Sequence, residues 1–350
     1  MARQRVAVLF GGKSGEHEVS ITSARSVMAA LDQARWDVVP IGISRSGHWL
    51  TPGETTAALQ AGSRAFESEG APVLRAPEAL AALSSCDVAF PLVHGTNGED
   101  GTLQGFLEIA GIPYAGAGVA ASAIGMDKAL MKALFREAGI PVPRYSVIRS
   151  WEYTLAQNTS MSLIESAIGY PCFIKPANGG SSVGVTRARS REDLPEAFKA
   201  AFAYDDKVVV EQAITGREVE CSVLGNENPE ASIVGEIVPD RDFYDYDSKY
   251  SPDSTTQLYI PAPIPEGVAV EVRQLALRMY QVMGCEGYAR VDFFLTTGDK
   301  VIANEVNTIP GFTSISMYPK LWEASGLPYT DLLTRILELA LARHQRRASR

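Results

Sequence analysis

Two neighbouring stretches near the end of the chain, 288–295 and 300–307, limit most strongly what this protein can fold into. Both are rich in Val, Ile, Phe and Ala, which favours strands, and the polar residues 297–299 between them are typical of a hairpin turn. The polar side chains that interrupt the apolar runs come in steps of two: Arg290, Asp292, Glu305 and Asn307. Because successive side chains of a strand point to opposite faces, we expect these side chains to share one face of the hairpin.

The polar face of this hairpin has two interpretations. A short turn predicts a register in which Arg290 faces Glu305 and Asp292 faces Ala303, and a cross-strand pair of opposite charges is common on a solvated sheet face. Alternatively, the face is a reaction site. Two carboxylates and an amide oxygen are hard ligands that suit Mg²⁺, and an arginine beside them stabilises negative charge on a transferring group or an oxyanion. The hairpin alone leaves both interpretations open.

Length and charge exclude several classes of protein. A chain of 350 residues is too long for one compact core, which predicts two or three domains. The net charge of −9, from 41 acidic and 32 basic residues, argues against a nucleic-acid-binding protein, and the basic cluster at 343–350 is expected to fray. The four cysteines are isolated, which predicts reduced thiols instead of a disulfide framework or a zinc site. No apolar run of membrane-spanning length and no leader are present, so we expect a cytoplasmic protein without membrane insertion.

The beginning of the chain predicts a doubly wound α/β domain. An apolar strand at 5–10 leads into a glycine-rich turn at 11–18, and a helix with apolar residues at helical spacing follows. The turn contains Gly-Lys-Ser, but Ala7 stands where a P-loop requires its first glycine, so that motif is excluded. Glu16 lies near the start of the helix, where it is either a favourable partner of the helix dipole or a ligand-binding residue.

Three further loops have compositions that indicate binding. The loop 94–101 follows a strand at 86–93, where open α/β sheets bind ligands, although an ordinary tight turn explains it equally well. The loop 177–184, entered through Lys175, is rich in glycine and serine, which suits either phosphate binding by backbone N–H groups or a flexible hairpin. The loop 241–257 is long and aromatic, which is typical of a lid or a binding loop.

Two other segments allow only coarse predictions. A strand at 208–214, expected at the edge of a sheet, carries Glu211, and Glu218 follows it. Each of these carboxylates is either a surface residue or a contact to adenine and ribose. Residues 51–85 are rich in alanine, and their pattern indicates no more than helix and loop.

Seven motifs in a shared order and spacing make the chain resemble the D-alanine–D-alanine ligases of the ATP-grasp superfamily. They are GGKSGEHEVS at 11–20, HGTNGEDGT at 94–102, MDK at 126–128, KPANGGSSVGV at 175–185, FYDYDSKY at 243–250, ARVDFF at 289–294 and NEVNTIPGFTS at 304–314. The resemblance covers nearly the whole chain and is weakest at 51–85. It implies an α/β (α+β) ATP-grasp fold in which ATP lies between the central and carboxyl-terminal domains. The glycine-rich crossing at 112–118 separately predicts a domain boundary, and the predicted domains are 1–117, 118–212 and 213–350.

The resemblance assigns roles to residues of these motifs. Nucleotide contacts are implied for Lys128, Lys175, Ser182, Glu211, Gln212, Ala213, Ile214, Glu218 and Lys249. Metal ligands are implied at Asp292, Glu305 and Asn307, and substrate or catalytic contacts at Glu16, Ser181, Tyr250, Arg290, Gly311 and Ser316. Glu16 would bind the ammonium group of the first D-alanine and form a trio with Ser181 and Tyr250. Arg290 and the N–H of Gly311 would stabilise the oxyanion.

Further contacts and partners follow from the same resemblance. Lys249 would reach the transferred phosphate, Ser316 would hold the carboxylate of the second substrate, and His94 would belong to the pocket. The implied cofactors are ATP and two Mg²⁺ ions, with Mn²⁺ as a substitute and K⁺ as a candidate activator. The implied activity joins two D-alanine molecules through a D-alanyl phosphate for peptidoglycan precursor synthesis, releasing ADP and phosphate. A cytoplasmic homodimer is expected.

Three alternatives to this activity are distinguishable by residues. Resistance-type relatives use D-lactate or D-serine as the second substrate; the lid pair Lys249 and Tyr250 argues against lactate, and Met317, where those relatives carry arginine, favours D-alanine. A nucleotide-binding ATP-grasp protein without ligase activity would have lost polar residues of the hairpin. Another carboxylate–amine ligase, such as one of the biotin-carboxylase type, would lack the lid motif and the Glu16 motif.

Overall fold

The computed structural model describes residues 3–62, 66, 70–238, 256–313 and 315–349. Within them the strands are β1 (Gln4–Gly11), β2 (Trp36–Ile43), β3 (Val88–Pro91), β4 (Tyr145–Arg149), β5 (Cys172–Pro176), β6 (Thr186–Ala188), β7 (Lys207–Gln212), β8 (Gly216–Leu224), β9 (Glu230–Val238), β10 (Gln257–Tyr259), β11 (Tyr288–Thr296) and β12 (Val301–Asn307). The α-helices are α1 (His17–Ala30), α2 (Pro52–Ala61), α3 (Pro77–Ser84), α4 (Thr102–Ile109), α5 (Val119–Met126), α6 (Lys128–Glu137), α7 (Ser150–Leu155), α8 (Gln157–Ala167), α9 (Leu194–Phe202), α10 (Glu266–Val282), α11 (Met317–Ala324) and α12 (Tyr329–Ala348). Short 3₁₀ turns lie at Val73–Arg75 and Arg191–Asp193.

The amino-terminal sheet is parallel, with its strands in the order β2–β1–β3. Alternate residues of β1 enter different cores. Val6, Val8 and Phe10 pack on one face of the sheet, and Ala7 and Leu9 pack on the other. A strand that is buried on both faces has a continuous apolar sequence, as is usual in parallel sheets. The predicted doubly wound α/β opening is confirmed.

The central sheet is antiparallel, with its strands in the order β4–β7–β5–β6. Ile174, Val208 and Val210 on its core face pack with Ile164 of α8 and Phe198 of α9. The prediction that 208–214 is an edge strand was wrong. β7 pairs on both sides, because β4, which lies far earlier in the chain, covers the edge that the local sequence leaves open.

The third sheet is antiparallel, in the order β10–β9–β8–β11–β12, and contains the polar hairpin. Its observed register differs from the prediction: Arg290 faces Asn307, and Asp292 faces Glu305. The turn holds one more residue than predicted, since Leu295 pairs with Val301, and a bulge follows between Asp292 and Phe293. The longer turn and the bulge each shift the pairing of the strands by one residue. The total shift of two residues preserves the face of each strand, so the four polar side chains still share a face, as predicted.

Two of the hydrophobic cores join distant parts of the chain. Helices α5 and α6 share a core with the third sheet, through residues such as Ala121, Met131 and Val291. Helix α12 shares a core with the amino-terminal sheet, through residues such as Leu333 and Phe10. Each sheet lies within one of the three implied domains, but their helices cross between cores. The boundaries at 117 and 212 therefore stay a prediction.

The basic end of the chain is ordered through much of its length. We expected 343–350 to fray, and that expectation was wrong, because α12 continues to Ala348 and Arg343 is only 3% exposed. The Arg343 guanidinium donates to the carbonyls of Tyr114, at 2.6 Å, and Gly116. The ring of Tyr114 lies 4.4 Å from that guanidinium.

The variable segment 51–85 forms two helices in its described part. Thr51 caps α2 in a reciprocal arrangement with Glu54, which explains where that helix begins. The predicted lid at 241–257 lies outside the described residues except for its last two positions. No helix among the described residues is both long and apolar enough to cross a membrane.

Candidate active site

A cavity of about 1180 Å³ lies where the turn before α1, the glycine-rich loop after β5, strand β8 and the hairpin β11–β12 meet. It exceeds the roughly 300–1,000 Å³ of a pocket for one small ligand, so it has room for a nucleotide and amino acids together. Most of the predicted site residues line it: Glu16, Lys128, Lys175, Ser181, Ser182, Glu218, Arg290, Asp292, Glu305, Asn307, Gly311 and Ser316. His94 lines it as well.

Some predicted contacts are not among the residues that line the cavity. Lys249 and Tyr250 lie outside the described residues. Of the described ones, the following do not line it: Glu211, Gln212, Ala213 and Ile214. The N–H of Gln212 donates to the Arg144 carbonyl at 2.9 Å, and the N–H of Ala213 donates to the Pro171 carbonyl at 3.1 Å. Two of the backbone N–H groups predicted to contact adenine are therefore already bonded within the protein.

Glu16 and Ser181 meet across the cavity. The Ser181 hydroxyl donates to Glu16 Oε1 at 2.5 Å, although the two residues are 165 positions apart. Ser181 and Ser182 both have positive φ angles, of 51° and 59°. Residues other than glycine rarely adopt this backbone conformation, and where they do it is often at a functional site. A side chain at Gly180 would approach Glu16 Oε2 to 3.0 Å. The glycine-rich loop thus closes over Glu16.

Lys128 anchors the other side of this loop. Asp127 caps α6 by accepting from the N–H groups of Ala129 and Leu130, which fixes where the helix begins. The Lys128 ammonium group then donates to the carbonyl of Gly179. Consequently, one lysine and a run of backbone groups border the same space, as a phosphate site requires.

Glu211 is buried between two lysines and is not a surface residue. Its Oε2 lies 2.7 Å from Lys132 Nζ, and its Oε1 lies 3.1 Å from Lys175 Nζ. Burial alone would raise the pKa of Glu211, but the two ammonium groups outweigh it and lower the pKa to about 2. The sequence analysis missed Lys132. Its spacing of four from Lys128, which puts both lysines on one face of α6, could have revealed it.

Arg290 is held by two carboxylates. Its Nε and Nη2 donate to Asp292 at 2.7 and 2.6 Å, and Nε also lies 3.0 Å from Glu220 Oε2. Burial alone would lower the pKa of the Arg290 guanidinium, but Asp292 and Glu220 raise it well above its usual range. The sequence analysis missed Glu220, although its alternation with Glu218 places both on the cavity face of β8.

The carboxylates form a row across neighbouring strands. Glu220 faces Asp292, and Asp292 faces Glu305, on β8, β11 and β12. Asn307 reaches the same group, with its amide nitrogen 3.5 Å from Asp292 Oδ2. Carboxylate and amide oxygens gathered on one face are the hard donors that Mg²⁺ prefers. The predicted ligands Asp292, Glu305 and Asn307 thus lie on one face, and their role as metal ligands stays a prediction.

The loop after β12 is fixed by the amino-terminal domain. His94 Nδ1 donates to the Ile309 carbonyl at 3.0 Å, and the Phe312 N–H donates to Ser23 Oγ at 3.3 Å. Burial alone would lower the pKa of His94, but its hydrogen bond and charge interaction with Glu99 raise it. These contacts hold the backbone of Gly311, between the two anchored residues, at the cavity wall.

Ser316 closes the far side of this loop. It precedes α11, and its hydroxyl accepts from the Thr313 N–H at 3.0 Å. A side chain at Gly311 would approach Ser316 Oγ to 2.7 Å. Close packing of Gly311 against Ser316 thus brings an N–H donor and a hydroxyl to one part of the cavity.

Comparisons with known proteins agree with this arrangement. The family model described as "D-ala D-ala ligase N-terminus" matches residues 5–117, and "D-ala D-ala ligase C-terminus" matches 134–338. A D-alanine–D-alanine ligase of Geobacillus kaustophilus is 47% identical over 353 residues, which cover 98% of this chain and 96% of the relative. D-alanine–D-alanine ligase A of Escherichia coli is 47% identical over 368 residues, which cover 98% and 97%.

Two solved structures share the fold of this chain. The D-alanine–D-alanine ligase of Coxiella burnetii superposes with a TM-score of 0.84 at 38% identity, over 100% of this chain and 97% of that one. The VanG D-Ala:D-Ser ligase of Enterococcus faecalis superposes with a TM-score of 0.81 at 34% identity, over 97% and 100%. The predicted fold class is confirmed, and this chain belongs to the D-alanine–D-alanine ligase family of ATP-grasp enzymes.

Proposed function

We infer that this protein joins two D-alanine molecules to D-alanyl-D-alanine, using ATP, for peptidoglycan precursor synthesis. One observation carries the assignment beyond family membership. A single cavity contains the Glu16–Ser181 contact, the carboxylate row with Arg290, and the Gly311–Ser316 loop. The first group suits an ammonium ion, and the carboxylate row suits metal ions that would bind a phosphoryl group. Arg290 with the Gly311–Ser316 loop suits an oxyanion and the second substrate.

The reaction needs two bond-forming steps. A carboxylate oxygen of the first D-alanine attacks the γ-phosphorus of ATP, which forms D-alanyl phosphate and releases ADP. The amine of the second D-alanine, having lost a proton, then attacks the acyl carbon, and the tetrahedral intermediate collapses with release of phosphate. Bound Mg²⁺ would reduce the charge repulsion between phosphate oxygens and the attacking carboxylate.

The predicted site residues that line the cavity have the following roles in this scheme. Glu16 pairs with the ammonium group of the first D-alanine, and Ser181 orients Glu16. Lys128 and Lys175 hold phosphate oxygens, with the backbone near Ser182. Two more side chains bind the substrates. Glu218 accepts hydrogen bonds from the ribose hydroxyls of ATP, and Ser316 donates to the carboxylate of the second substrate.

Arg290 stabilises the oxyanion of the tetrahedral intermediate together with the Gly311 N–H. Asp292, Glu305 and Asn307 would hold two metal ions, either Mg²⁺ or Mn²⁺, and we keep K⁺ as a proposed activator. For Lys249, on the transferred phosphate, and Tyr250, in the trio with Glu16, the support is the motif alone.

The side chain of Glu211 receives a different role from the predicted adenine contact. Both of its carboxylate oxygens already face lysines, and it is 1% exposed. We assign it to charge balance beneath Lys175. Adenine would then contact backbone groups of 212–214 that are not already bonded.

The second substrate is assigned as D-alanine on the apolar wall near Ser316. Met317 is 4% exposed and packs with Ile237 and Leu321. A side chain at Gly235 would lie 2.9 Å from the Met317 sulfur, so this wall is closely packed. A methyl group matches such a wall better than a hydroxymethyl group, which would lose hydrogen bonds to water.

The location of the protein, its oligomeric state and its domain boundaries are proposals as well. We propose a cytoplasmic homodimer, and we propose domains at 1–117, 118–212 and 213–350. The strand pairing supports these three domains, because each sheet lies inside one of the three ranges.

Product analysis tests the function directly. We would incubate the protein with ATP, Mg²⁺ and D-alanine, alone or with D-serine or D-lactate, and identify products by mass spectrometry. ADP release with mainly D-alanyl-D-alanine is expected, also against competitors. A dominant mixed product would assign the protein to the D-serine or D-lactate enzymes, and ATP binding without any ligated product would refute the ligase activity.

A further inference from the structure

Lys132 is a buried lysine that faces a carboxylate, and the mechanism gives it no role. Its side chain is 1% exposed, and it does not line the cavity. It lies one helical turn after Lys128 on α6, so both point from the same face of the helix. Its ammonium group contacts Glu211 Oε2, while Lys175 contacts Oε1 of the same carboxylate. Each oxygen of Glu211 therefore has its own lysine.

Stability alone does not explain this arrangement. The cost of removing two charges from water offsets much of their attraction, so a buried ion pair contributes little compared with apolar residues of the same volume. Here two ammonium groups share one carboxylate, which leaves an excess positive charge close to the buried pair. We therefore look for a role of this excess positive charge in ligand binding instead of in folding stability.

The positions of these charges relative to the cavity indicate that the excess positive charge serves phosphate binding. Lys128 and Lys175 line the cavity, whereas Glu211 and Lys132 lie behind them. Taken together, Lys128, Lys132, Lys175 and Glu211 carry two net positive charges. Without Lys132, Glu211 would neutralise Lys175, and only one positive charge would face the phosphates.

We propose that Lys132 is a positioning residue for the nucleotide: it neutralises Glu211 from behind, so that Lys175 stays fixed at the cavity wall with its charge directed at the phosphates. The proposal rests on the proposed function in one respect, namely that the phosphates of ATP lie at Lys128 and Lys175. It extends that function by a residue that never touches the substrate.

A second contact places Lys132 between the two sheets that border the nucleotide site. Its ammonium group lies 3.5 Å from the carbonyl of Asn304, the extra residue in the β12 bulge next to Glu305. Glu211 belongs to β7 of the central sheet. Lys132 thus joins the strand beneath Lys175 to the strand that carries a proposed metal ligand.

The test compares nucleotide affinity with D-alanine affinity. For Lys132→Met we expect the Kd for ADP, measured by calorimetry, and the KM for ATP to rise about tenfold or more, since one charge near the phosphates is lost. The KM for D-alanine should stay within about twofold, because that site is formed by other residues. Lys132→Arg, which keeps the charge, should stay close to the wild type in ADP affinity.

Two further variants separate charge balance from general damage. Lys199→Met removes an exposed lysine of α9, paired with Glu196 at the surface, and should change neither affinity. In the double variant Lys132→Met with Glu211→Gln the wall again carries two net positive charges. ADP affinity should therefore recover most of what Lys132→Met alone loses, and circular dichroism and thermal unfolding would check the fold of each variant.

Several outcomes would overturn the proposal. Unchanged ADP affinity in Lys132→Met would remove the role of Lys132, and an equal loss of ADP and D-alanine affinity would indicate a merely structural residue. A double variant as weak as Lys132→Met alone would refute charge balance. ADP binding is measured without catalysis, so the ADP affinities of the single and double variants test the proposal even if the wild-type protein makes no dipeptide, whereas the two KM values require turnover. Dipeptide formation by the wild type stands even if the ADP results contradict the role of Lys132.

Discussion

Neighbouring charges decide what single side chains in the cavity can do. The carboxylate of Asp292 accepts both donors of the Arg290 fork, so the guanidinium is fixed in direction before any substrate arrives. A planar guanidinium makes two parallel bonds in a fixed geometry, whereas the donors of an ammonium group have no such fork. Charge and geometry are therefore separable by substitution at this residue.

Substituting Arg290→Lys keeps the charge and removes the fork. We expect kcat to fall by about 10²–10³, because an ammonium group held at one point stabilises the oxyanion poorly. The KM for ATP should change little. Steady-state kinetics would measure both, with Arg187→Lys, an exposed arginine of β6, as the matched control. Normal turnover in a folded Arg290→Lys enzyme would contradict the oxyanion role.

The charge of Glu211 contributes to stability in a pH-dependent way. Its folded pKa of about 2 lies below the ordinary 4.5, so the unfolded chain binds a proton that the folded chain does not bind between these values. The stabilisation is complete above the ordinary pKa and is lost as the pH falls towards the folded value. It follows that stability from this residue decreases with acidification.

The substitution Glu211→Gln tests this pH dependence. Near neutral pH it should lower the free energy of unfolding by about 3 kcal/mol, because it leaves Lys132 buried without its counter-ion. The difference from the wild type should shrink as the pH is lowered from about 5 to about 3. Urea denaturation at several pH values measures it, and a difference that does not vary with pH would exclude the charge as its cause.

At the scale of elements, hairpin β11–β12 and the loop after it form the reaction face. The bulge at Asn304 and the longer turn each shift the register by one residue, and together they bring Asp292 directly opposite Glu305. The loop then returns through Gly311 to Ser316, where backbone and side chain pack too closely for any larger residue. The conformation of this loop determines where its donors point.

Replacing Gly311 by alanine tests that close packing. The added methyl group would lie 2.7 Å from Ser316 Oγ, so Ser316 must turn away or the loop must move. We expect a loss in kcat of about tenfold or more and a higher KM for the second D-alanine, since a displacement of about 1 Å is enough to disturb aligned donors.

Gly105→Ala is the matched control for this substitution. Gly105 lies within α4, and an added methyl group meets no atom within 4 Å. Turnover should stay unchanged while the free energy of unfolding rises by about 1 kcal/mol, because alanine is the better helix former. Equal activity of both alanine variants would show that Gly311 is not sterically required.

For the molecule as a whole, helix α12 links the two ends of the chain. It packs into the core of the amino-terminal sheet, and Arg343 satisfies carbonyls of the segment 114–116. This connection holds the domain that carries Glu16 against the domain that carries the hairpin. Both sides of the cavity depend on it.

Substituting Arg343→Ala should weaken this link. We expect the free energy of unfolding to fall by about 2 kcal/mol, because buried carbonyls lose a charged donor. Arg335→Ala, which removes an exposed pair with Glu230, should cost less than about 1 kcal/mol. Urea denaturation of both variants measures the difference. Equal stability of the two would mean that Arg343 is not a link between domains.

Much of the candidate site was predictable because its signals are local. The period-two polar residues of the hairpin and the glycine-rich motifs at 11–20 and 175–185 indicate strands and phosphate loops without knowledge of any partner. The family resemblance of these motifs predicted the fold class, which the comparisons confirm. Even the wrong register left the four hairpin residues on one face, because an error of two residues preserves the face of a strand.

Local sequence patterns were therefore enough to predict the family, many of the strands and twelve of the residues that line the cavity. The partners of the buried charged side chains became known from the three-dimensional structure alone: Glu211 contacts Lys132 and Lys175, Arg290 contacts Glu220, and Arg343 contacts the carbonyls of 114 and 116. These partners are brought together by sheet pairing and helix packing between segments far apart in the chain. A local pattern fixes the face on which a residue lies, but the residue opposite it is fixed by long-range packing.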